Sequence, residues 1–560
     1  MKWGLQMLRI EPKQFTLFSA SVYARIPENH ILKRLEQTID FSFINELLAD
    51  GYCKDFGRPA KEPELLMRLL FLKHIYNLSD VQVIEQASLN IAWTWFLGLN
   101  LEDPLPHPSL LAKFRTQRLA EFDLDDIITE IIRQCVDKGL IQSDGICIDA
   151  THIEANTIKK VPERIMKHLA EKIFKGLKKD LGNIPPQVDT NIPDYKQIKD
   201  HKQAKQMMKE YLIKVIQQAG PFALENTQAA IDEAKEILAD ERFIIQKGLR
   251  SLVDKDARVG KKSKNESFYG YKAEYTMLAE ERLITAVSVQ SGEKMDGNNF
   301  TQLLERTVTA NIKPQAIYAD KAYFRPEILS QIEEMNADPV IPVSESAYKI
   351  KEDLFSYNKD SDEWYCCLGN RTVKRRHFTR KRDGKEYQYY EYTFDKELCI
   401  DCPHRAKCMG KSKGPARKLR VGINTHKLWE FSQVQKTPEF KEKYKKRSSI
   451  EWKNAELKRF LGLARAIGYG LKAVAMQAKL TVIAANLKRI AALVGERSSR
   501  FLFQICCKSY FMQFKPTCAL EGVSLALFLG TLSVVSDSPS VLCGRVSGYP
   551  EGAKRLKNLE

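Results

Sequence analysis

The chain has 560 residues, of which 44% are apolar and 28% charged, and 88 Lys+Arg against 71 Asp+Glu leave a net charge of +17. This ordinary globular usage excludes a disordered, collagen-like or disulfide-knotted chain, and at roughly 100–200 residues per domain it predicts three to five units. The basic balance points to an anionic partner, with nucleic acid first.

The opening MKWGLQMLRIEPKQF lacks the apolar run of a secretory leader, and the longest apolar run, Gly522 to Val535, is shorter than the roughly 20 residues that span a bilayer. A cytosolic protein with no membrane partner is expected, its twelve cysteines reduced or metal-bound. In chain order, residues 1–140 read as mainly helical. Pro63-Glu64 opens a helix through Leu65, Leu66, Leu69, Leu70, Leu72 and Ile75. Asn77-Leu78-Ser79 is a turn and cap, and a second helix runs from near Asp80 to a C-cap at Gly98. After the Pro-rich loop 103–108, Ser109 caps a third helix carrying Lys113, Arg115 and Arg118. Such an order suits a DNA-binding helix-turn-helix and a plain helical bundle equally.

From Gly145 the pattern changes. Ile146 to Thr151 is a short apolar strand holding Asp149 near its end, and a Lys-rich helical insert follows over about 158–255. Phe268 to Leu278, the turn 279–282 and Leu283 to Val289 form a hairpin. A helix (298–310), a strand (316–319) ending at Asp320, a helix (326–335) and a strand (339–342) complete a mixed α/β sheet. Residues 345–435 interrupt the rhythm with Cys, Tyr and basic clusters. A long helical region spans 441 to about 494, and 495–560 form a tail of different composition and unknown role.

Two acids at strand ends occupy the edge of an open α/β sheet where ligands bind, and carboxylates there suit Mg²⁺ or Mn²⁺. A third acid would allow two ions roughly 3.5–4 Å apart to flank a phosphodiester. Glu451 is the candidate. Tyr444, Arg447, Glu451 and Lys458 fall within about 60° of one another on a helix, whereas Glu456 points about 140° away from Glu451. His152, near Asp149, reads as a surface or substrate-proximal residue. The insertion offers one CxxC knuckle, Cys399-Ile400-Asp401-Cys402, with Cys408 and the pair Cys366-Cys367. Cys367, Cys399, Cys402 and Cys408 are the candidates for a structural Zn²⁺ site. Between them lie Lys374, Arg375, Arg376, Arg380 and Arg382, then Tyr387, Tyr389, Tyr390 and Tyr392. Interleaved cations and aromatics grip phosphates and stack unpaired bases, while strand alternation assigns at least half of the tyrosines to core packing.

Ile148-Asp149-Ala150-Thr151, then Tyr318-Ala319-Asp320-Lys321-Ala322-Tyr323, then Tyr444-x2-Arg447-x3-Glu451-x6-Lys458 resemble the DDE transposases of bacterial insertion sequences with the Tyr-Arg-Glu-Lys signature. Gly57-Arg58-Pro59 to Phe114-Arg115, and Gly260-Lys261-Lys262-Ser263 with Gly270-Tyr271-Lys272-Ala273, are similar to other segments of that family. The resemblance covers most of 15–493; the helical insert and the tail depart from it. It implies a ribonuclease H-like mixed sheet spanning 141–344 and 436–494, with a helical N-terminal DNA-binding domain (1–140) and two insertions. Asp149, Asp320 and Glu451 would hold two Mg²⁺ (or Mn²⁺) ions, for hydrolysis at transposon ends and then attack of the freed 3′-hydroxyl on target DNA. Tyr444, Arg447 and Lys458 would hold DNA backbone near the cut, and Trp364 is a candidate to insert beside a flipped base. Double-stranded DNA as partner, a homodimer on that DNA and a nucleoid-associated bacterial location follow. An inactivated DNA-binding derivative and a nuclease without strand transfer are the alternatives.

Overall fold

A computed structural model describes residues 14–52, 60–240, 249–263, 265–344, 348, 350–382, 385–410, 412 and 414–513, with the side chains of 382, 385 and 498–513 outside the description. Gly57-Arg58-Pro59 and the tail beyond 513 lie outside it too. The chain divides into two units, Met1–Arg497 and Ser498–Glu560. Of the second, 498–513 are described, as helix.

The N-terminal region is helical, as expected. Pro63 sits in the first turn of Pro63–Ile75, a helix buried on nearly every face. Ser79 and Gln82 form a reciprocal capping box that starts Asp80–Leu89. The single second helix expected from Asp80 to Gly98 is instead two. Asn90 leaves helical geometry and its side chain accepts from Ala92 N and Trp93 N, so a new helix, Ile91–Phe96, begins there. His107, not Ser109, caps Pro108–Lys113, its ring Nδ1 accepting from Ser109 N. The next turn is a π-helical step over Phe114–Arg118. Two of its cations are taken up internally: Arg115 pairs with Asp80 at 2.5 Å, and Arg118 lies 4.9 Å over the Tyr52 ring and donates to Gly51 O.

Six strands form the central sheet: β1 (Gly145–Glu154), β2 (Arg258–Lys261), β3 (Ser267–Leu278), β4 (Ile284–Ser291), β5 (Ala316–Tyr318) and β6 (Asp338–Val340). Their order is β2-β3-β1-β5-β6, with β4 sharing the outer edge of β3. β1, β3 and β4 run antiparallel, while β1, β5 and β6 run parallel. Three antiparallel strands followed by two parallel ones, with the first strand in the centre, is the ribonuclease H-like arrangement. β3 is buried on both faces, Tyr271, Ala273, Tyr275 and Met277 on one and the buried polar Glu274 and Thr276 on the other. The N-terminal helices and this sheet share one apolar core, reaching from Tyr23 to Ala491.

Two insertions carry cores of their own. Helices Pro162–Leu181, His201–Ala219 and Glu225–Ala239 pack on one another through residues such as Leu169, Leu212 and Ile231. The second insertion holds β7 (Phe355–Asn358) paired with β8 (Glu363–Cys366), and a three-stranded sheet of β9 (Thr372–Arg382), β10 (Lys385–Phe394) and β11 (Lys418–Gly422). The long helix expected over 441–494 is broken into Pro438–Lys445, Ser448–Arg459 and Leu471–Gln513. Gly462 and Gly470 take positive φ values of 75° and 82° in the intervening loop, where the chain turns back to meet β1.

Arg68 is the deepest cation of the N-terminal helices. Its guanidinium reaches Glu36 at 2.5 Å and 2.9 Å, Glu64 at 2.8 Å and Phe96 O at 2.7 Å, between the Phe41 and Phe96 rings. Arg68→Ala leaves the Glu64 carboxylate buried without its cation and is expected to cost ~3–5 kcal/mol. The measurement is urea unfolding followed by circular dichroism; an unchanged midpoint would contradict the role.

Candidate active site

The β1–β5 register decides where the first two acids stand. Cys147 pairs with Tyr318, so carrying both parallel strands two residues further brings Asp149 alongside Asp320. Asp320 then turns the chain into a short 3-10 helix, its side chain accepting from Ala322 N at 2.8 Å. Burial, opposed by the Arg447 charge and reinforced by the negative charge of Asp320, pushes the Asp149 carboxyl up to about 6.

Helix Ser448–Arg459 lies over them. Cys147 Sγ on β1 is 3.7 Å from Ser449 Oγ and 3.7 Å from Lys446 O, and Tyr275 on β3 donates to Ile450 O at 3.4 Å. At the far end of β1, Glu154 N donates to Ala464 O and Glu154 O accepts from Ala466 N. The helix is thus held to one strand at both ends. The face it presents runs Arg447, Glu451, Asn454, Lys458.

Arg447 reaches Glu451 at 2.8 Å and Asp149 at 3.7 Å. Its guanidinium stands among three negative charges and is itself held up in basicity by Asp149, Tyr444, Glu451 and Asp320 against burial. Glu451 is the open member, its side chain 61% exposed. Tyr444 stacks on Phe440 at 5.9 Å on the preceding helix, Pro438–Lys445, so the expected four-residue stripe is shared between two helices. Lys458 Nζ is 3.1 Å from His152 Nδ1, and burial together with the nearby Lys262 charge lowers its pKa to about 8. His152 is thus a neighbour of the helix cation.

Asn454 was not visible as a candidate. Its Nδ2 donates to Asp149 Oδ2 at 3.0 Å while its Oδ1 accepts from Tyr275 OH at 2.9 Å. An uncharged residue three positions after Glu451 gave no chemical signal, although the same helical arithmetic places it on that face.

Among the described residues, no three Asp, Glu, His or Cys side chains stand close enough together to hold an ion as they are. The donor chemistry nevertheless fits a hard divalent cation. Asp149 and Asp320 interact electrostatically, and a cation bound beside them would favour the charged form of the Asp149 carboxylate against the burial that chiefly raises it.

The insertion residues divide by strand face. Arg375 is committed inward: it pairs with Asp362 and lies 4.0 Å over the Tyr390 ring. Lys374, Arg376 and Arg380 are exposed on the opposite face of β9; the Arg382 side chain lies outside the description. Tyr392 is core and Tyr390 packs beside it, whereas Tyr387 and Tyr389 face outward. Trp364 is fully buried 4.9 Å from Tyr357, which removes it as an inserted base wedge. Of the four thiols expected to hold zinc, Cys367 is exposed, and among the described residues no three of these thiols stand close enough together to hold an ion as they are. Cys366, Cys399 and Cys408 pack against one apolar cluster, and burial raises the Cys408 thiol, with Cys399, Cys402 and Cys366 as further negative neighbours. The side chain of Cys366, not Cys367, points inward from β8 in the register that also buries Trp364's neighbours.

Among the described residues no helix is long and apolar enough to cross a membrane. The family described as Transposase domain (DUF772) matches residues 20–117, and the family described as Transposase DDE domain matches 234–487. A curated protein of Rhizobium meliloti, "Uncharacterized protein ORF8 in nfe locus", is 26% identical over 133 residues, 23% of this chain. This chain spans 63% of that relative's length. A solved piggyBac transposase synaptic complex with hairpin DNA overlaps 92% of this chain and 86% of its own at 9% identity and a TM-score of 0.27, too loose an overlap to bear on fold or chemistry. The two transposase families match separate segments in chain order, helical region first and sheet second.

Proposed function

We propose that this chain is a DNA transposase that hydrolyses phosphodiester bonds at transposon ends and transfers the freed strand into target DNA. The observation that carries the reading is the approach of Asp149, in the middle of β1, to Asp320, just past the end of β5, beside a helical segment bearing Arg447, Glu451 and Lys458. The match to the Transposase DDE domain family supports the same chemistry.

Members of the family generally use divalent metal ions. Asp149, Asp320 and Glu451 are the proposed holders of two Mg²⁺ or Mn²⁺ ions. When bound, such ions supply Lewis-acid activation of the attacking oxygen and stabilisation of the leaving one. The chain's own residues orient and neutralise. Arg447 is placed to exchange its carboxylate partners for a DNA phosphate, bidentately, and Lys458 and Tyr444 line the same face. Residues 1–140 are proposed to hold further duplex DNA, and the basic face of the second insertion to contact DNA phosphates, two protomers acting on paired ends.

Asp149→Ala, Asp320→Ala and Glu451→Ala are each expected to abolish cutting of a fragment carrying the element's own ends, and chelator to do the same to the unmodified protein. Binding to those ends, read by gel shift, stays within a few-fold. Wild-type-like cutting by any one variant removes that residue from the site. Products joined to a second DNA separate transposition from simple nuclease action.

Asn454→Ala frees Asp149 from one of its anchors and is expected to lower cleavage about 10–100-fold, as loss of a partner that orients a metal-holding carboxylate does. Asn454→Asp, which places a second negative charge beside Asp149, should be worse still at low Mg²⁺. Full activity in Asn454→Ala would show that the bond positions nothing.

For the second insertion, a structural zinc ion on Cys399, Cys402 and Cys408, with Cys366 in place of Cys367, is the corresponding proposal. Metal analysis of purified protein is expected to return zinc, lost in Cys402→Ser and retained in Cys367→Ser. Absence of zinc from the unmodified protein would end the idea.

A further inference from the structure

The catalytic residues leave unexplained the outer face of the β9-β10-β11 sheet. The cross-strand register sorts it into rows. Lys374 lies opposite Thr393 and then Lys418; Arg376 opposite Glu391 and then Arg420; Phe378 opposite Tyr389; Arg380 opposite Tyr387. Residues directly opposite one another share a face, so two rows carrying cations are followed on this face by a row of rings and then by a row that pairs Arg380 with Tyr387. The inner face of the same strands carries Tyr390 and Tyr392 into the small core, with the half-exposed Arg375 laid over the Tyr390 ring.

Three features make the outer face more than a solvated surface. Phe378 and Tyr389 stack with centroids 5.4 Å apart and planes 14° apart, and the neighbouring Tyr387 is 52% exposed. Charge is unbalanced: Glu391, with its side chain 6% exposed, takes Lys418 and Arg420, and among the described residues Lys374, Arg376 and Arg380 have no ion-pair partner. At the root of the face opens a cavity of about 750 Å³, bordered by Lys374, Lys396, Arg417 and Lys418. The Arg417 Nε is buried and has no hydrogen-bond partner.

A face that only solvated the sheet would not group its rings, and a protein-docking face would not leave so many cations unmatched. Flat rings bordered by cations match a polymer of flat bases joined by phosphates, provided those bases are not already stacked in a duplex. We infer that the outer face of this sheet binds an unpaired DNA strand, with bases against Phe378, Tyr389 and Tyr387 and phosphates along Lys374, Arg376 and Arg380 toward the cavity. The inference rests on the transposase reading for the source of that strand, since cutting and joining at element ends exposes unpaired DNA.

The test is fluorescence anisotropy on the full chain with two labelled probes, an oligo-dT of about 16 nucleotides and a mixed-sequence duplex of the same length. Tyr387→Ala and Phe378→Ala are each expected to weaken oligo-dT binding about tenfold while leaving duplex binding within about twofold. Arg376→Gln with Arg380→Gln should weaken oligo-dT binding and reduce the slope of log affinity against log salt by about 1.4. Tyr387 is exposed, so its replacement leaves the fold intact even if Phe378→Ala does not. Equal weakening of both probes, or unchanged oligo-dT binding by Tyr387→Ala and Phe378→Ala, overturns the inference. Because neither probe needs to be cut, this outcome is separate from failure of the cleavage reading, which the Asp149, Asp320 and Glu451 variants decide.

Discussion

The site depends on one docking contact: helix Ser448–Arg459 laid across β1 and fixed near both ends of that strand. Cys147 and Ser449 meet at its start, Tyr275 and Asn454 lock its middle, and Glu154 binds the chain at 464–466 beyond its end. Parallel pairing of β1 with β5 can bring two acids together by itself. The third comes from a segment about three hundred residues later (Cys147 and Ser449 are 302 positions apart), and only this docking delivers it. Apolar burial makes the contact strong, since Ile450 and Leu457 on the inward side are both fully buried.

Bringing acids together raises an electrostatic problem that the fold answers with a guanidinium. Desolvation and the nearby Asp320 both favour protonation of Asp149, and Arg447 opposes them. Arg447 serves this purpose better than a lysine would, because its planar fork addresses Asp149 and Glu451 at once. The same residue that quiets the carboxylates therefore has the geometry to address a phosphate. The lowered basicity of Lys458 has a different origin: burial and the Lys262 charge act on it, and a phosphate would restore its proton's value.

Much of this was legible in the sequence, and the rest failed for physical reasons. Apolar runs leading into acids, helical spacing of Tyr444, Arg447, Glu451 and Lys458, and turn chemistry around 279–282 are local signals, and they led to the sheet and to Asp149 and Asp320, although β1 continues past Asp149 to Glu154 and the acid sits in mid-strand. Asn90 hid inside an apolar helical run, because an asparagine that caps a new helix looks like one tolerated within an old one. Helical periodicity likewise ran through Lys446 and Phe460, where the chain breaks. Trp364 looked like a DNA-facing group until its burial put it into the small core, and Arg375, on the face of β9 opposite Arg376, is taken up by Asp362 and the Tyr390 ring. Asn454 was missed because its meaning lies in Tyr275, 179 positions away, and not in its own chemistry. Adjacent cysteines could be separated only by the strand face each occupies.

The helical insertion leaves the sheet and returns to it through a narrow neck. Lys160 N donates to Arg250 O at 3.0 Å and Arg250 N to Lys160 O at 3.2 Å, so two backbone bonds close its neck. Above that neck the three helices satisfy their apolar contacts among themselves. Lengthening a closed loop costs little entropy, because the cost rises only with the logarithm of its length. The insertion is consequently a graft: evolution, or an engineer, can shorten, enlarge or exchange it above residues 160 and 250 while the strands beneath keep their spacing.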